Sequence, residues 1–308
     1  MTGTGTQNDP FIISDWADFI TAAGTSGAYV EFPKNIVHTS DRAVDPNKLY
    51  TDANGVVQTN VQTSDLANLY ENTFVLDANS SDGFPEGLTT RIEFNCASIN
   101  GYGGYIKNLA ARGIDFVFHT DTVSQGTISG IAFLNIYCEN SSFFYSSNSS
   151  GAVSVYFTKC IFTGRFINTY TSSYYTKGVF TGNRGNSFTS CSFNCEIKGY
   201  WDFIRPYASS PFNYCRIYID IDEVSLPTFK AINSYILGES GLGITLASGT
   251  QYTVVNMITS RIDSYASDVC LINTDSYSGT IPSRCVGVTT AQLKDASYLS
   301  SIGFPIQT

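Results

Sequence analysis

The sequence predicts an all-β chain wound as a single-stranded right-handed parallel β-helix, a solenoid closed at each end by a short capping helix. Three observations carry this expectation. First, one phrase (a bulky apolar residue, two mostly polar ones, a small residue, any residue, an apolar residue) occurs six times in one sense. It reads Phe133 to Cys138, Phe157 to Phe162, Phe188 to Phe193, Phe212 to Ile217, Ala231 to Ile236 and Met257 to Ile262. The fourth positions are 136, 160, 191, 215, 234 and 260, giving steps of 24, 31, 24, 19 and 26 residues. A repeat near 25 residues with variable insertions marks a chain that stacks turn on turn. Second, the fourth and sixth residues of each phrase lie two apart and are small or apolar, whereas the residue between them is mixed. That is the period of a strand with one buried face, seen longest in Cys215-Arg-Ile-Tyr-Ile-Asp-Ile-Asp222. Third, the 308 residues include 21 Phe, 20 Tyr and 26 Gly, with only 14% charged residues, a composition suited to strands and turns.

The elements follow in order. Residues 1–35 form an N-terminal segment with a capping helix: Trp16, Phe19 and Ile20 share one helical face, Ser14 or Asp15 serves as N-cap, and Gly24 ends it. Residues 36–90 read as an acidic, loop-rich excursion. The repeats occupy 91–285, about eight turns at ~4.8 Å each and therefore about 40 Å of column; the handedness follows from the near-universal hand of parallel crossovers. Pairs such as Thr158-Lys159, Thr189-Ser190 and Asn213-Tyr214 suit tight corners. Two stretches rich in Ser, Thr, Tyr and Gly, 140–151 and 169–186, read as surface loops. Residues 286–308 form a C-terminal cap, opened by the capping box Thr289-Thr-Ala-Gln292 and expected to lie over the last turn.

Charge narrows the function. Residues 1–90 carry 12 acidic and 3 basic side chains, residues 91–308 carry 14 of each, so the whole net charge of −9 precedes the repeats. Phosphate recognition needs a basic surface, which argues against nucleic acid as a partner. No apolar run reaches the ~20 residues of a membrane helix, and the first residues lack the basic and apolar regions of a secretory signal. Of the eight cysteines, Cys138, Cys160, Cys191, Cys195 and Cys215 fall on the inward strand face, as core thiols of a chain made in a reducing cytoplasm. With no C-x-x-C and only His38 and His119, no zinc site and no other cofactor is expected. Asp77-Ala-Asn-Ser-Ser-Asp82-Gly83 resembles a calcium loop only loosely, its third acidic position falling one residue late.

Both ends carry a resemblance. Gly5-Thr-Gln-Asn-Asp-Pro-Phe-Ile-Ile13 followed by Trp16-Ala-Asp-Phe19, and the close Leu293-Lys-Asp-Ala-Ser-Tyr298-Leu-Ser-Ser-Ile-Gly-Phe304, resemble the opening and closing segments of parallel β-helix virion proteins of tailed bacteriophages. These include head fibres and decorations, tail fibres and tailspikes. The resemblance implies a virion component that is a homotrimer, contacts capsid or tail proteins, and meets host cell-surface polysaccharide. It departs from full tailspikes in having no long virion-binding domain before the repeats and no coiled coil or β-prism after them, so a stand-alone decoration, head fibre or tail appendage is expected.

Tailspike-like proteins can also cleave polysaccharide with paired carboxylates. The candidates here are Asp220, Asp222 and Glu223, outward at a strand end, with Glu196, Asp202 and Asp263 on neighbouring turns; Arg216 and Arg261 read as sharing one outward position. Tyr174, Tyr175, Tyr200 and Trp201 offer flat faces beside polar groups, fit for a glycan or a subunit interface. The sequence thus frames three readings: a non-enzymatic virion protein, a depolymerase using the outward carboxylates, and a bacterial surface adhesin.

Overall fold

The computed structural model describes residues 1–34, 74–78, 88, 90–112, 114–120, 125–146, 154–169, 178–182, 186–199, 202–204, 212–222 and 228–305. The described chain is mostly β-strand with three short helices. Its strands form three sheets of 17, 5 and 3 strands, and every pairing between the named strands is parallel.

The register of the largest sheet is the central fact. Leu76, Ile106, Phe133, Phe162, Phe193, Ile217, Ile236, Val255, Ile272 and Gly287 are successive in-register partners. Beside them runs a second ladder: Phe11, Val30, Ile99, Ile128, Phe157, Phe188, Phe212 and Ala231. The two ladders are joined through the long strands Ser98–Lys107 and Gln125–Glu139, whose mutual register shifts between Asn100 and Gly104. Like residues therefore pile upon like. Rings stack face to face at strand spacing, 5.2 Å for Phe133–Phe162, 4.9 Å for Phe162–Phe193 and 5.0 Å for Phe157–Phe188, and meet the neighbouring ladder edge to face, as in Phe157–Phe162.

The five-stranded sheet closes the other side of this core. Its own ladder, Ile92, Phe118, Phe144 and Phe180, sends Phe180 against Phe162 at 5.3 Å and Phe188 at 4.9 Å. Two of its strands, Ser142–Ser146 and Gly178–Gly182, lie inside the stretches expected as surface loops. The composition there is polar, but the pairs Phe143-Phe144 and Val179-Phe180 are buried, and two apolar residues suffice for a short strand with one inner face.

Between ladders sits a column of small residues at the corner: Cys160, Cys191, Cys215, Ser234 and Thr253. Each side chain donates to two carbonyls, one two residues earlier and one in the preceding repeat, as Cys191 Sγ to Thr189 and Phe157, and Ser234 Oγ to Ile232 and Phe212. A residue of this size with one donor fits the buried corner and gives its own hydrogen partners among the corner carbonyls, several of which also accept a backbone amide from an adjacent repeat. Cys270 and Cys285 continue the register. Numbered along this column, successive repeats take 31, 24, 19, 19, 17 and 15 residues, so the repeat shortens towards the C-terminus.

Four of the six phrases fall in register, those starting at Phe157, Phe188, Phe212 and Ala231. The other two are displaced. Phe133 pairs with Phe162, not Phe157, whose partner is Ile128. The repeat after Ala231 continues at Thr253-Val254, while Met257 pairs with Gly238 and Ile262 with Ile244 in the three-stranded sheet. A bulky residue, a corner and a strand recur at more than one corner of each repeat, so the phrase alone cannot identify which.

The sheet also begins earlier than residue 91, because Phe11–Ile12 pairs with Tyr29–Glu31, which in turn pairs with Ser98–Lys107. Helix α1 (Trp16–Gly24) lies between them, capped by Asp15, whose Oδ1 accepts from the Asp18 amide at 2.9 Å. Trp16, Phe19, Ala22 and Ala23 enter the core, and Phe19 meets Phe32 and Phe118 edge to face; Ile20, expected on this face, is exposed. Helices α2 (Thr290–Leu293) and α3 (Ala296–Ser301) close the chain, with the capping box between Thr289 and Gln292 formed as expected. Their apolar residues Leu293, Leu299 and Phe304 pack with Val288 on Tyr235, Leu237, Val254 and Leu271 in a cluster separate from the core. The tail thus covers the outer face of the last strands, not their end.

Candidate functional site

The strand Arg216–Asp222 has the burial its sequence demands: Ile217, Ile219 and Ile221 are buried, while Tyr218, Asp220 and Asp222 are exposed. Parallel register then decides what stands beside each outward side chain. Tyr137, Arg165, Glu196, Asp220, Glu239 and Ile258 form one outward column, and Lys198 pairs with Asp222 in the next. Three carboxylates, Glu196, Asp220 and Glu239, consequently occupy neighbouring rungs about 4.8 Å apart.

Only one of the three is neutralised. The Glu196 carboxylate takes Lys198 Nζ at 2.7 Å and Arg165 Nε at 2.6 Å, and these two cations, Lys198 first, hold its carboxyl below the usual carboxylate range. Asp220, Asp222 and Glu239 are exposed and form no side-chain hydrogen bond or ion pair with the described residues. They line two adjoining open grooves, one with Glu196, Lys198 and Gly241, the other with Arg216, Tyr218, Asn256 and Ile258. Neither groove is enclosed, so the site lacks the exclusion of water that strengthens charge interactions in hydrolytic centres.

Of the remaining residues singled out by sequence, Glu223, Tyr174, Tyr175, Tyr200 and Trp201 lie outside the described residues, as do 79–83 of the loose calcium-loop stretch. Asp202 begins a strand of the five-stranded sheet and Asp263 a pair in the three-stranded sheet, so neither joins Asp220. Arg261, expected to share the outward position of Arg216, instead precedes the three-stranded sheet and binds Asp263 at 2.8 Å. Among the described residues no group of three or more His, Cys, Asp or Glu converges as a metal site, and no helix is long and apolar enough to cross a membrane.

Sequence reading missed Glu239, because register, not spacing along the chain, brings it beside Asp220. It also missed a Glu–His contact on the five-stranded sheet, between a half-buried carboxylate and a buried imidazole. Glu93 and His119 are in-register partners, with His119 Nδ1 3.0 Å from Glu93 Oε2 and its ring stacked 5.7 Å from Tyr145. Burial raises the Glu93 carboxyl, but its hydrogen bonds from His119 and Arg91 outweigh this and hold it below the usual range. Asn135 Nδ2 donates to Asn108 Oδ1 at 2.7 Å, and Asn273 Nδ2 to Asn256 Oδ1 at 2.8 Å, so side-chain amide ladders also follow the stack. No family model, no curated protein and no solved structure matches this chain.

Proposed function

We propose that the chain is a right-handed parallel β-helix serving as a non-enzymatic structural component of a bacteriophage virion, a capsid decoration, head fibre or tail appendage. In this reading it assembles as a homotrimer, contacts capsid or tail proteins, and presents its outward faces to host-surface glycans. The observation that carries the reading is the unbroken in-register ladder from Leu76 to Gly287. Such stacking builds an elongated body with a column about 43 Å tall at ~4.8 Å per step. The terminal segments that resemble phage β-helix proteins add the virion to it.

A second reading, a tailspike-type depolymerase, draws on the adjacent uncompensated carboxylates Asp220 and Glu239, whose rung spacing approaches the ~5 Å of retaining glycosidases. Two measurements test what the readings share, a trimer in the virion, and a third separates them. Purified protein is expected to give a mass near three times 33.6 kDa by mass photometry; monomers alone at micromolar concentration sink the trimer. Mass spectrometry of purified particles is expected to recover the chain from the virion, and its absence there sinks the virion role. Incubation with bacterial capsule or exopolysaccharide is expected to release neither reducing ends nor unsaturated sugars. Release that disappears in Asp220→Asn or Glu239→Gln transfers the conclusion to the depolymerase.

A further inference from the structure

Cys270 and Cys285 differ from the other thiols of the corner column. They are direct in-register partners on the last two parallel strands, Cys270–Asn273 and Cys285–Val288. Parallel partners have Cα atoms about 4.8 Å apart, inside the 4.4–6.8 Å that a disulfide spans, and their side chains leave the sheet on one side. Here both turn into the same core. Cys160, Cys191 and Cys215 share this stacking, but all three are buried and each thiol donates to two backbone carbonyls, whereas buried Cys270 donates to the carbonyl of Asp268 and Cys285 is only partly buried.

Access separates the pairs. Cys285 is only half-buried, and its Sγ lies 3.5 Å from Ser264 Oγ. Ser264 lines an open groove with Tyr265, Ser267 and Arg284. The neighbouring Cys270 thiol holds the Cys285 thiol below the usual thiol range, whereas burial pushes Cys96 and Cys195 up to about 12. Cys285 is thus the thiol able to act as a nucleophile, with a second thiol one rung away.

We propose that Cys270 and Cys285 are a modification site, a vicinal-strand dithiol that a low-molecular-weight disulfide such as oxidised glutathione converts to an intramolecular disulfide. The Cys285 thiolate attacks one sulfur of oxidised glutathione, forming a mixed disulfide and releasing one glutathione thiolate. Cys270 then attacks Cys285 Sγ, its proton passing to the departing glutathione thiolate, so that the Cys270–Cys285 bond forms as the Cys285–glutathione bond breaks and the second glutathione is released. Two protein thiols are oxidised and one small disulfide is reduced. The bond staples the terminal strand to its neighbour, whatever the function of the particle.

The test uses the whole chain, reduced, desalted, exposed to oxidised glutathione, acid-quenched and digested with trypsin without reductant. The expected product is one cross-linked peptide pair, 262–284 joined to 285–294, each containing a single cysteine. A Cys270→Ser variant is expected to stop at the mixed disulfide and retain one glutathione on Cys285. Alkylation of Cys285 by iodoacetamide is expected to set in at lower pH than that of a free cysteine, whose thiol titrates at about 8.5. Absence of the 262–284/285–294 pair in the wild-type chain, or a cross-link within Cys160, Cys191 and Cys215 instead, overturns the proposal without reference to any variant. Alkylation of Cys285 that begins only above pH 9 removes its assigned role as attacking group.

Discussion

Lys159, Ser190, Tyr214, Asn233 and Tyr252 adopt a backbone conformation that L-residues avoid, with φ between 44° and 53°, and they do so at the same corner of five successive repeats. Gly130 occupies the same place one repeat earlier with φ of 61°. The conformation costs about 1–2 kcal/mol for a residue with a Cβ, so something must hold it. Register does: Lys159 donates its amide to Thr189, Ser190 to Asn213, Tyr214 to Ile232 and Asn233 to Gln251, all at 2.9–3.1 Å. The corner therefore turns its N–H along the stack towards the next repeat. Lys159→Gly removes the steric cost and is expected to raise stability by about 0.5–1 kcal/mol, read as a higher denaturation midpoint. Lys159→Val, β-branched at positive φ, is expected to lower it by at least about 1 kcal/mol. Equal effects of the two substitutions would show that the corner relaxes freely and does not enforce the turn. At this scale the sequence was readable, since Thr158-Lys159, Thr189-Ser190 and Asn213-Tyr214 pointed to tight corners before any register was known. What it hid was the repeated left-handed residue, because Lys and Tyr carry no preference that announces it.

Single elements show where local pattern runs out. The strand Arg216–Asp222 was legible from its alternation, and the capping box at Thr289 from its own four residues. Neighbour relations were not, because a parallel partner lies 15–69 residues away by a distance that varies along the chain. That is why Asp220 was found and Glu239 beside it was not, and why two of the six phrases were placed on the wrong corner. The outward column carries a consequence for stability. Asp220 stands between two other carboxylates, only one of which has cationic partners, and like charges directly opposite on adjacent strands are destabilising. Asp220→Lys places a cation between Glu196 and Glu239 and is expected to stabilise by about 0.5–1 kcal/mol at low salt, with the gain shrinking as ionic strength rises. A gain that persists unchanged in 1 M salt would locate its origin in packing and not in charge.

Across the described residues the in-register side chains of the largest sheet become smaller towards its last strands. Middle repeats are filled by Phe157, Phe162, Phe180, Phe188, Phe193 and Phe212, whereas the last rungs offer Ala231, Val255, Ile272 and Gly287. In an array where each repeat touches only its neighbours, stability sums locally, so the narrow end is the weak end. The C-terminal tail offsets this from outside by laying Leu293, Leu299 and Phe304 on Leu237, Val254 and Leu271. Each such side chain contributes about 1.5–3 kcal/mol by leaving water. Ending the chain at Thr289 removes all three and is expected to weaken the adjoining strands by about 5 kcal/mol. Amides of Val254–Ile258 and Cys270–Asn273 should then exchange with deuterium more than about a thousandfold faster. Those of Ile161–Ile167, four and five rungs away, should keep their protection. Phe162→Ala reverses the pattern: it opens the densest part of the core at a cost of about 3–5 kcal/mol and should loosen the central strands first. If truncation and Phe162→Ala instead accelerate every strand alike, the stack unfolds as one cooperative unit, and the tail cannot be acting as a local brace on its narrow end.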